Sequence, residues 1–381
     1  VRDEIGRKIS KTTGNVIDPL VLMDEFGTDA LRFTMLVGST PGNDTNVGPK
    51  KVEANRNFAN KLWNAGRFVI NAIDALDDGP STTDQDGPSA RVNGQNYTLA
   101  DSWIWAKLQQ LVRDVERLFE NFQYGEAGRQ IYEFIWSDFA DWYVEIAKEQ
   151  LKNNATKART AETLARILDI SLRLLHPFTP FVTEEIWGHL RDALRESSLK
   201  QIAEDWPEAL IVASWPEPRQ PKGWEESRTA DFTLIQEIVR SIRNLRAEKN
   251  VAPSKRIAAT IAAGPNLGLV QEQSRVIAQL AGLNEAEMSI HDALAEKPGD
   301  AAALVVGAVE IYLPLAGMLD LAGERTRLEK ELKEARSHAE RLEKLLASDF
   351  AAKAPPALVQ KEREKLEGHR KTAEKIEAQL K

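Results

Sequence analysis

The chain has 381 residues, of which 42% are hydrophobic and 28% are charged, and its formal net charge is −8. This composition excludes a disordered chain and provides enough apolar material for more than one compact core. Charges interrupt the apolar runs well before the ~20 residues that a membrane crossing requires, and no signal peptide opens the sequence. We therefore expect a cytoplasmic protein that does not contact membranes.

The absence of cysteine excludes disulfides, cysteine-based zinc sites and thiol nucleophiles. The five histidines are scattered and never occur at the i, i+3 or i+4 spacing of a helical metal site. We therefore predict no metal site in this chain. The negative net charge argues weakly against nucleic-acid binding, although a chain average can hide local basic patches.

Residues 1–15 form a polar loop in which Lys8 and Lys11 lie three positions apart between glycines. Two ammonium groups on such a loop can close over phosphate oxygens that gain negative charge in a transition state. A solvated basic surface loop is the simpler interpretation, and composition alone favours it. Residues 16–50 alternate short helical patterns with turns, and the segment 39–44 is rich in turn residues.

From residue 51 the sequence becomes strongly helical, with apolar residues at steps of three and four: Phe58, Leu62, Ala65, Val69, Ala72 and Leu76. Asn64 and Arg67 lie on the polar face of this helix, and Phe68 falls on the same face. An aromatic ring beside amide and guanidinium groups can stack on an unpaired nucleotide base. Alternatively, a second helix covers this face and Phe68 is an ordinary core residue, which the sequence alone favours slightly.

A linker rich in Gly, Ser, Asp and Thr at residues 77–96 separates this helix from those that follow. Further helical patterns lie near residues 98–121, 124–153 and 158–176, from residue 180 onward, and at about 230–249. The stretch 164–175 is apolar nearly all round, so it should lie at the centre of a bundle. The tryptophan- and proline-rich stretch 197–224 predicts an irregular strap that its tryptophans pin to the bundle.

A row of basic residues repeats every three positions along the last of these helices: Arg240, Arg243, Arg246 and Lys249. Such a row can follow the phosphates of a nucleic acid. A solvated helix face is an equally good interpretation.

Beyond residue 250 the apolar pattern changes from the helical period to alternation. Alternating residues occur at 257–261 and at 309–313, and a helical pattern at about 267–281 lies between them. We therefore predict a small α+β unit.

The strongest periodicity lies at the end of the chain, where apolar positions step by three and four in two heptad segments, 321–346 and 359–380. The turn at 348–356 between them is too short for a parallel arrangement, so we predict an antiparallel hairpin about 40 Å long. Segment 321–381 has fifteen basic and twelve acidic residues, unlike the acidic remainder. A basic projection is suited to contacting a polyanion, whereas a coiled coil that keeps itself soluble or joins a protein partner is the alternative.

Taken together, these segments resemble valyl-tRNA synthetases, a family of class I aminoacyl-tRNA synthetases. Lys8-Ile9-Ser10-Lys11-Thr12 is similar to the Lys-Met-Ser-Lys-Ser loop of that class, and residues 14–19 and 29–32 are similar to its stem-contact region. Residues 60–65 and 176–187 resemble the helical anticodon-binding domain of valyl, isoleucyl and leucyl enzymes. Residues 242–255, followed by a terminal hairpin, resemble the valyl enzymes in particular.

The resemblance implies a ligase that attaches valine to tRNA(Val) through a valyl-adenylate. ATP would be a substrate, accompanied by Mg²⁺ in the full-length enzyme, and tRNA(Val) would be the partner of a monomer. The site residues that the resemblance implies are Lys8 and Lys11 as catalytic groups, Lys8, Ser10 and Lys11 for ATP binding, and Asn64, Arg67 and Phe68 for anticodon binding.

We therefore predict a mainly α protein with four parts: a lysine loop and stem-contact region at 1–50, a helical-bundle anticodon-binding domain at 51–250, a small α+β junction domain at 251–320, and an antiparallel coiled-coil tRNA-binding arm at 321–381. The sequence contains no His-x-Gly-His segment, and we find neither the nucleotide-binding sheet of the class nor its editing domain. We expect it to bind tRNA without activating valine alone. The alternatives are a free-standing, non-catalytic tRNA-binding module and a coiled-coil scaffold for protein interaction.

Overall fold

A computed structural model describes residues 1–37, 44, 46–77, 97–315, 321–347 and 356–380. The chain divides into two compact units, Val1–Gln236 and Glu237–Lys381. Most of the predicted turn at 39–44, most of the linker at 77–96 and nearly all of the hairpin turn at 348–356 lie outside the described residues. In the described part of the chain, no helix combines the length and apolar character that crossing a bilayer requires.

The prediction of a mainly α fold is confirmed. The helices of the first unit are α1 (Pro19–Phe26), α2 (Thr28–Leu36), α3 (Pro49–Asp77), α4 (Leu99–Glu120), α5 (Tyr124–Glu133), α6 (Val144–Gln150), α7 (Asn154–Leu175), α8 (Pro180–Glu196) and α9 (Glu225–Glu248), which continues into the second unit. A π-helix, Phe134–Tyr143, joins α5 to α6. Local chemistry sets several starts, because Asp18 and Asn153 cap α1 and α7 and a Thr98–Asp101 capping box begins α4.

Helix α7 lies at the centre of the bundle, as its all-round apolar pattern predicts. Its side chains Leu164, Ile167 and Leu172 are fully buried. The strap at 197–224 contains only short 3₁₀ turns, and its tryptophans pack on the bundle as predicted. Trp206 stacks on Trp187 with 4.9 Å between ring centroids, while Trp215 lies 5.3 Å from the ring of Phe119.

Two distant segments of the first unit are joined by hydrogen bonds between α2 and the start of α8. The Asp29 carboxylate accepts from the backbone N–H of Val182 at 2.7 Å and more weakly from that of Phe181 at 3.4 Å. The N-cap residue of α8, Thr179, makes no capping hydrogen bond with its side chain, so Asp29 supplies the N-terminal cap of this helix. Burial raises the pKa of Asp29. Arg32 donates to the carbonyl of Pro177 at 3.2 Å, so residues 29–32 and 176–187 form one junction.

The second unit contains a four-stranded sheet with the order β2-β1-β4-β3. Its elements are β1 (Ile257–Ala262), α10 (Leu267–Glu272), α11 (Ser274–Ala281), β2 (Leu283–His291), β3 (Ala301–Val306) and β4 (Val309–Pro314). Strand β1 pairs in parallel with β2 and antiparallel with β4, and β3 and β4 form a hairpin. The two strands predicted from alternation are the central ones, whereas the edge strands β2 and β3 were not predicted.

Three arginines cap the C-terminal end of α11. Arg243 donates to the carbonyl of Leu280 at 2.6 Å, and Arg256 donates to those of Ala278 and Gln279. Arg246 is only 7% exposed, and its guanidinium donates to the carbonyls of Gly282, Ala252 and Lys255. Cations at this end also complement the helix dipole. For Arg246, both sequence interpretations, phosphate contact and solvated face, are therefore wrong.

The arm is an antiparallel hairpin of α12 (Leu321–Ala347) and α13 (Pro356–Leu380), as predicted. Predicted seam positions are buried on both helices: Ala335, Ala339, Val359, Ala373 and Ile376. Arg336 pairs with Glu377 at 2.7 Å and Glu343 with Arg370 at 2.8 Å. These pairs advance by one heptad along α12 and retreat by one along α13, which fixes the antiparallel register.

Replacing Arg246 by alanine removes three hydrogen bonds from partly buried carbonyls, and we expect the second unit to lose about 3 kcal/mol of stability. All nine tryptophans precede residue 225, so tryptophan fluorescence would not report on unfolding of the second unit. Amide hydrogen exchange at residues 257–314 is therefore the suitable measurement. Arg275, whose side chain is 83% exposed beside Glu285, is the matched control, and its alanine variant should lose less than about 1 kcal/mol. Equal exchange rates in both variants would contradict the capping role.

Candidate functional site

The lysine loop begins with an isolated antiparallel bridge between Arg2 and Lys8 and ends in a 3₁₀ turn over Lys11–Thr13. Ser10 caps this turn, since its hydroxyl accepts from the N–H of Thr12 at 3.3 Å and lies 2.7 Å from that residue's Oγ1. Gly14 follows with φ of 67°, a left-handed conformation that favours glycine. The side chains of Lys8 and Lys11 are exposed. The backbone of the loop is thus fixed while both amines remain accessible.

Asn15 is the centre of the hydrogen-bond network that holds this loop. Its amide nitrogen donates to a carboxylate oxygen of Asp3 at 3.0 Å and to the carbonyl of Lys8 at 3.2 Å. Its amide oxygen accepts from the N–H of Ser10 at 3.0 Å and the hydroxyl of Thr13 at 2.6 Å. The side-chain hydrogen bond from Asn15, aided by Arg7, lowers the pKa of Asp3 to about 2. Sequence reasoning missed Asn15 as a site residue because no periodicity marks it.

The second group of predicted residues lies on α3. Asn64 and Arg67 are exposed and Phe68 is half-buried, so no helix of the described part of the chain covers the face that Asn64 and Arg67 share. The lysine loop reaches the same helix at its other end, where the Glu4 carboxylate accepts from the N–H of Lys50 at 3.4 Å. Lys50 and Asn64 are separated by about 20 Å along the helix axis. The structure therefore places the predicted site residues in two groups rather than one.

One flank of this exposed face is closed by the π-helix. Lys61 pairs with Asp141 at 2.6 Å, and its ammonium lies 3.8 Å from the centre of the Trp136 ring. Phe68 follows Lys61 by two helical turns and therefore lies on the same side of α3. Segments of π-helix occur frequently at functional sites.

The other flank opens into a cleft of about 270 Å³ between α3 and α8. Trp63, Arg67 and Ile70 line it from α3, and Ile186 and His189 line it from α8. The Trp63 side chain is 37% exposed, and its ring meets that of His189 edge to face at 6.2 Å and 85°. Trp63 and His189 were not predicted as site residues. The sequence did contain one indication of this site, because Trp63 lies inside the segment 60–65 that resembles the anticodon-binding domain of the family.

Among the described residues, no three histidine, aspartate or glutamate side chains come together in a way that could hold a metal ion. The side chains of the loop, of the exposed face of α3 and of the cleft are amines, amides, a hydroxyl, a guanidinium, an imidazole and aromatic rings. Such groups can bind phosphate oxygens and nucleobases.

Three family models match successive parts of the chain. The model of "tRNA synthetases class I (I, L, M and V)" matches residues 1–48, that of the "Anticodon-binding domain of tRNA ligase" matches 101–261, and that of the "Valyl tRNA synthetase tRNA binding arm" matches 320–381. The exposed face of α3 lies between the first two matched ranges.

The chain is 41% identical over 371 residues to a valine–tRNA ligase of Dehalococcoides mccartyi, covering 97% of this chain and 40% of the relative. It is 40% identical over 378 residues to a valine–tRNA ligase of Symbiobacterium thermophilum, covering 96% and 40%. A third valine–tRNA ligase, from Geobacillus stearothermophilus, is 38% identical over 387 residues and covers 100% and 41%. The chain is thus similar to valine–tRNA ligases along nearly its whole length. It spans about 40% of the length of these relatives.

A solved leucyl-tRNA synthetase complex from Agrobacterium radiobacter K84, whose name includes tRNA and LeuAMS, aligns with 60% of this chain and 23% of its own at a TM-score of 0.40 and 22% identity. That similarity is too low to support an argument. The family model of the arm covers both helices of the hairpin, α12 and α13. The four predicted domain limits remain predictions.

The Asp3 carboxylate gives the lysine loop a testable pH dependence. Because its pKa is lowered from 3.8 to about 2, it stabilises the folded loop above pH about 4 and loses that contribution as the pH falls through 2. At pH 3 the ¹³C carboxyl resonance of Asp3 should therefore still report a mainly ionised group. In an Asn15→Ala variant, which removes the largest cause of the shift, the group should be more protonated at pH 3. An Asp3 midpoint near 4 in the unaltered chain would contradict this network.

Proposed function

We propose that this chain is the tRNA-binding C-terminal part of a valine–tRNA ligase, which attaches valine to tRNA(Val) in the cytoplasm and acts as a monomer. The observation that carries the proposal is the basic antiparallel hairpin at 321–381, which matches the family's tRNA-binding arm and lies on the same chain as an anticodon-domain match. The lysine loop within the class I match at 1–48 supports the assignment to an ATP-dependent ligase.

In the proposed reaction, the carboxylate of valine attacks the α-phosphate of ATP, which forms valyl-adenylate and releases pyrophosphate. A terminal ribose hydroxyl of the tRNA then attacks the adenylate carbonyl, which forms the ester and releases AMP. Lys8, Ser10 and Lys11 bind ATP, and the amines of Lys8 and Lys11 neutralise charge on the departing pyrophosphate. Their exposure on a loop fixed by Asn15 supports this role.

Mg²⁺ is expected with ATP in the whole enzyme. The described residues offer no cluster of carboxylates to hold it, and the Asp3 carboxylate is occupied by Asn15 and Arg7. When bound, the ion would neutralise phosphate charge. The residues of this chain contribute ammonium groups to that neutralisation.

The tRNA contacts of the proposal fall on two surfaces. Asn64, Arg67 and Phe68 contact the anticodon from the outer face of α3, which is supported by the exposure of Asn64 and Arg67 and by the half-exposed ring of Phe68. The hairpin arm contacts the sugar-phosphate backbone at the outer corner of the tRNA. Its excess of basic residues supports a backbone contact, since phosphates supply most of the sequence-independent affinity.

A Lys11→Ala variant of the whole enzyme should form adenylate about 10²-fold more slowly, because one cation is lost where charge develops. Pyrophosphate exchange measures the rate, and ATP binding should weaken much less. Lys200, an exposed lysine on a 3₁₀ turn of the same unit, is the control. An exchange rate equal to that of the Lys200→Ala variant would remove Lys11 from the mechanism.

Deleting residues 321–381 should weaken tRNA binding at least about tenfold and flatten its dependence on salt, because phosphate contacts release counterions. Filter binding of tRNA(Val) at 50 to 200 mM salt measures both effects. Adenylate formation in the whole enzyme should be unchanged by the deletion. A chain that retains no tRNA even at low salt would instead support a protein-interaction scaffold.

A further inference from the structure

The cleft between α3 and α8 has the composition of a site for one flat ring. Its floor is apolar, because Ile186 is 2% exposed and Ile70 is half-buried. Its rim carries the accessible indole of Trp63, the guanidinium of Arg67 and the imidazole of His189. At about 270 Å³ it falls below the ~300–1,000 Å³ of pockets that hold drug-sized ligands. A single ring system fits it better than a whole cofactor.

The indole of Trp63 is the feature that needs an explanation. Burying an aromatic side chain is favourable, yet this ring stays 37% exposed although the apolar floor of the cleft lies beside it. His189 meets the ring at 85°, so the two rings form a corner rather than a closed stack. A face of the indole therefore remains available to another ring.

We propose that this cleft holds one unpaired nucleobase, which stacks on Trp63. The proposal rests on the tRNA-binding function proposed above and adds residues to that surface. The volume of about 270 Å³ suits a single base. An unpaired base presents a π-face that stacks on aromatic side chains whatever its sequence. Arg67 lies at the edge of the cleft, where its guanidinium reaches the acceptors of a base or the adjacent phosphate.

His189 forms the second wall, and it is positioned by its own helix. Its Nε2 lies 3.3 Å from the carboxylate of Glu185, one turn earlier on α8. The imidazole lines the cleft beside Trp63, where a ring nitrogen can hydrogen-bond the edge of a base. Trp63 supplies affinity that depends little on base identity.

Gly66 sets the width of the cleft. A Cβ atom at this position would lie 2.7 Å from the Cγ2 atom of Ile186, which real structures do not tolerate without a shift. The glycine thus allows α3 and α8 to approach closely at the floor of the cleft. Gly188 on the facing helix has no atom within 4 Å of such a Cβ, so alanine there leaves the packing unchanged.

The test uses the full chain and tRNA(Val) transcripts in which the nucleotides of the anticodon loop are made abasic one at a time. Trp63→Ala should weaken binding of the intact transcript about tenfold or more. One abasic position should weaken binding to the unaltered chain by a similar factor and have no further effect in Trp63→Ala. Trp215, an equally exposed tryptophan on the strap, is the matched control, and its alanine variant should respond to every abasic position as the unaltered chain does.

A second pair of variants tests whether the width of the cleft matters for binding. Gly66→Ala should lower tRNA affinity and remove the response to the same abasic position, whereas Gly188→Ala should alter neither. If tRNA binding persists and depends on the arm, but no abasic position couples to Trp63, the cleft proposal is overturned and the proposed function stands. If the chain retains no tRNA at low salt, both are overturned.

Discussion

Burial of one face of α3 is the constraint on which both groups of predicted site residues depend. The side chains of Val52, Phe58, Leu62, Val69 and Ile73 are at most 1% exposed, and the helix packs on α2, α7 and α8. Because this face is fixed, the opposite face must present Asn64 and Arg67 outward, and the first turn must meet the lysine-loop segment at Lys50. A single helix of 29 residues, about 44 Å long, thus sets the distance between the two groups of predicted site residues within one unit.

Several charged side chains that the sequence offers as candidate ligand contacts instead form hydrogen bonds with the backbone of the chain itself. Arg243, Arg246 and Arg256 donate to carbonyls at the end of α11, and Asp29 accepts from the first N–H groups of α8. Buried peptide groups without partners cost free energy comparable to a lost hydrogen bond, so such residues are not free to bind a ligand. The accessible cations and amides that remain, including Lys8, Lys11 and Arg67, are therefore the better candidates for RNA and ATP.

Periodicity predicted the elements whose packing is local or repetitive. The stripe of α3, the all-round apolar α7 and the heptads of the hairpin each lie in one continuous segment. The structure buries many of the residues that those patterns mark, among them Leu62, Leu164 and Ala339. The edge strands β2 and β3 were missed because an edge strand buries little of its surface and need not alternate. The cleft was missed for a different reason. Trp63 and His189 belong to separate helices, and no single-segment pattern records which side chains of two helices will meet.

The seam of the hairpin has a mechanical consequence. Alanine occupies buried positions 335, 339 and 373, and such small side chains let two helices lie toward the near end of the ~8–10 Å range of helix separations. The result is a slender rod that buries few methyl groups per turn, so each additional turn adds length but little cohesion.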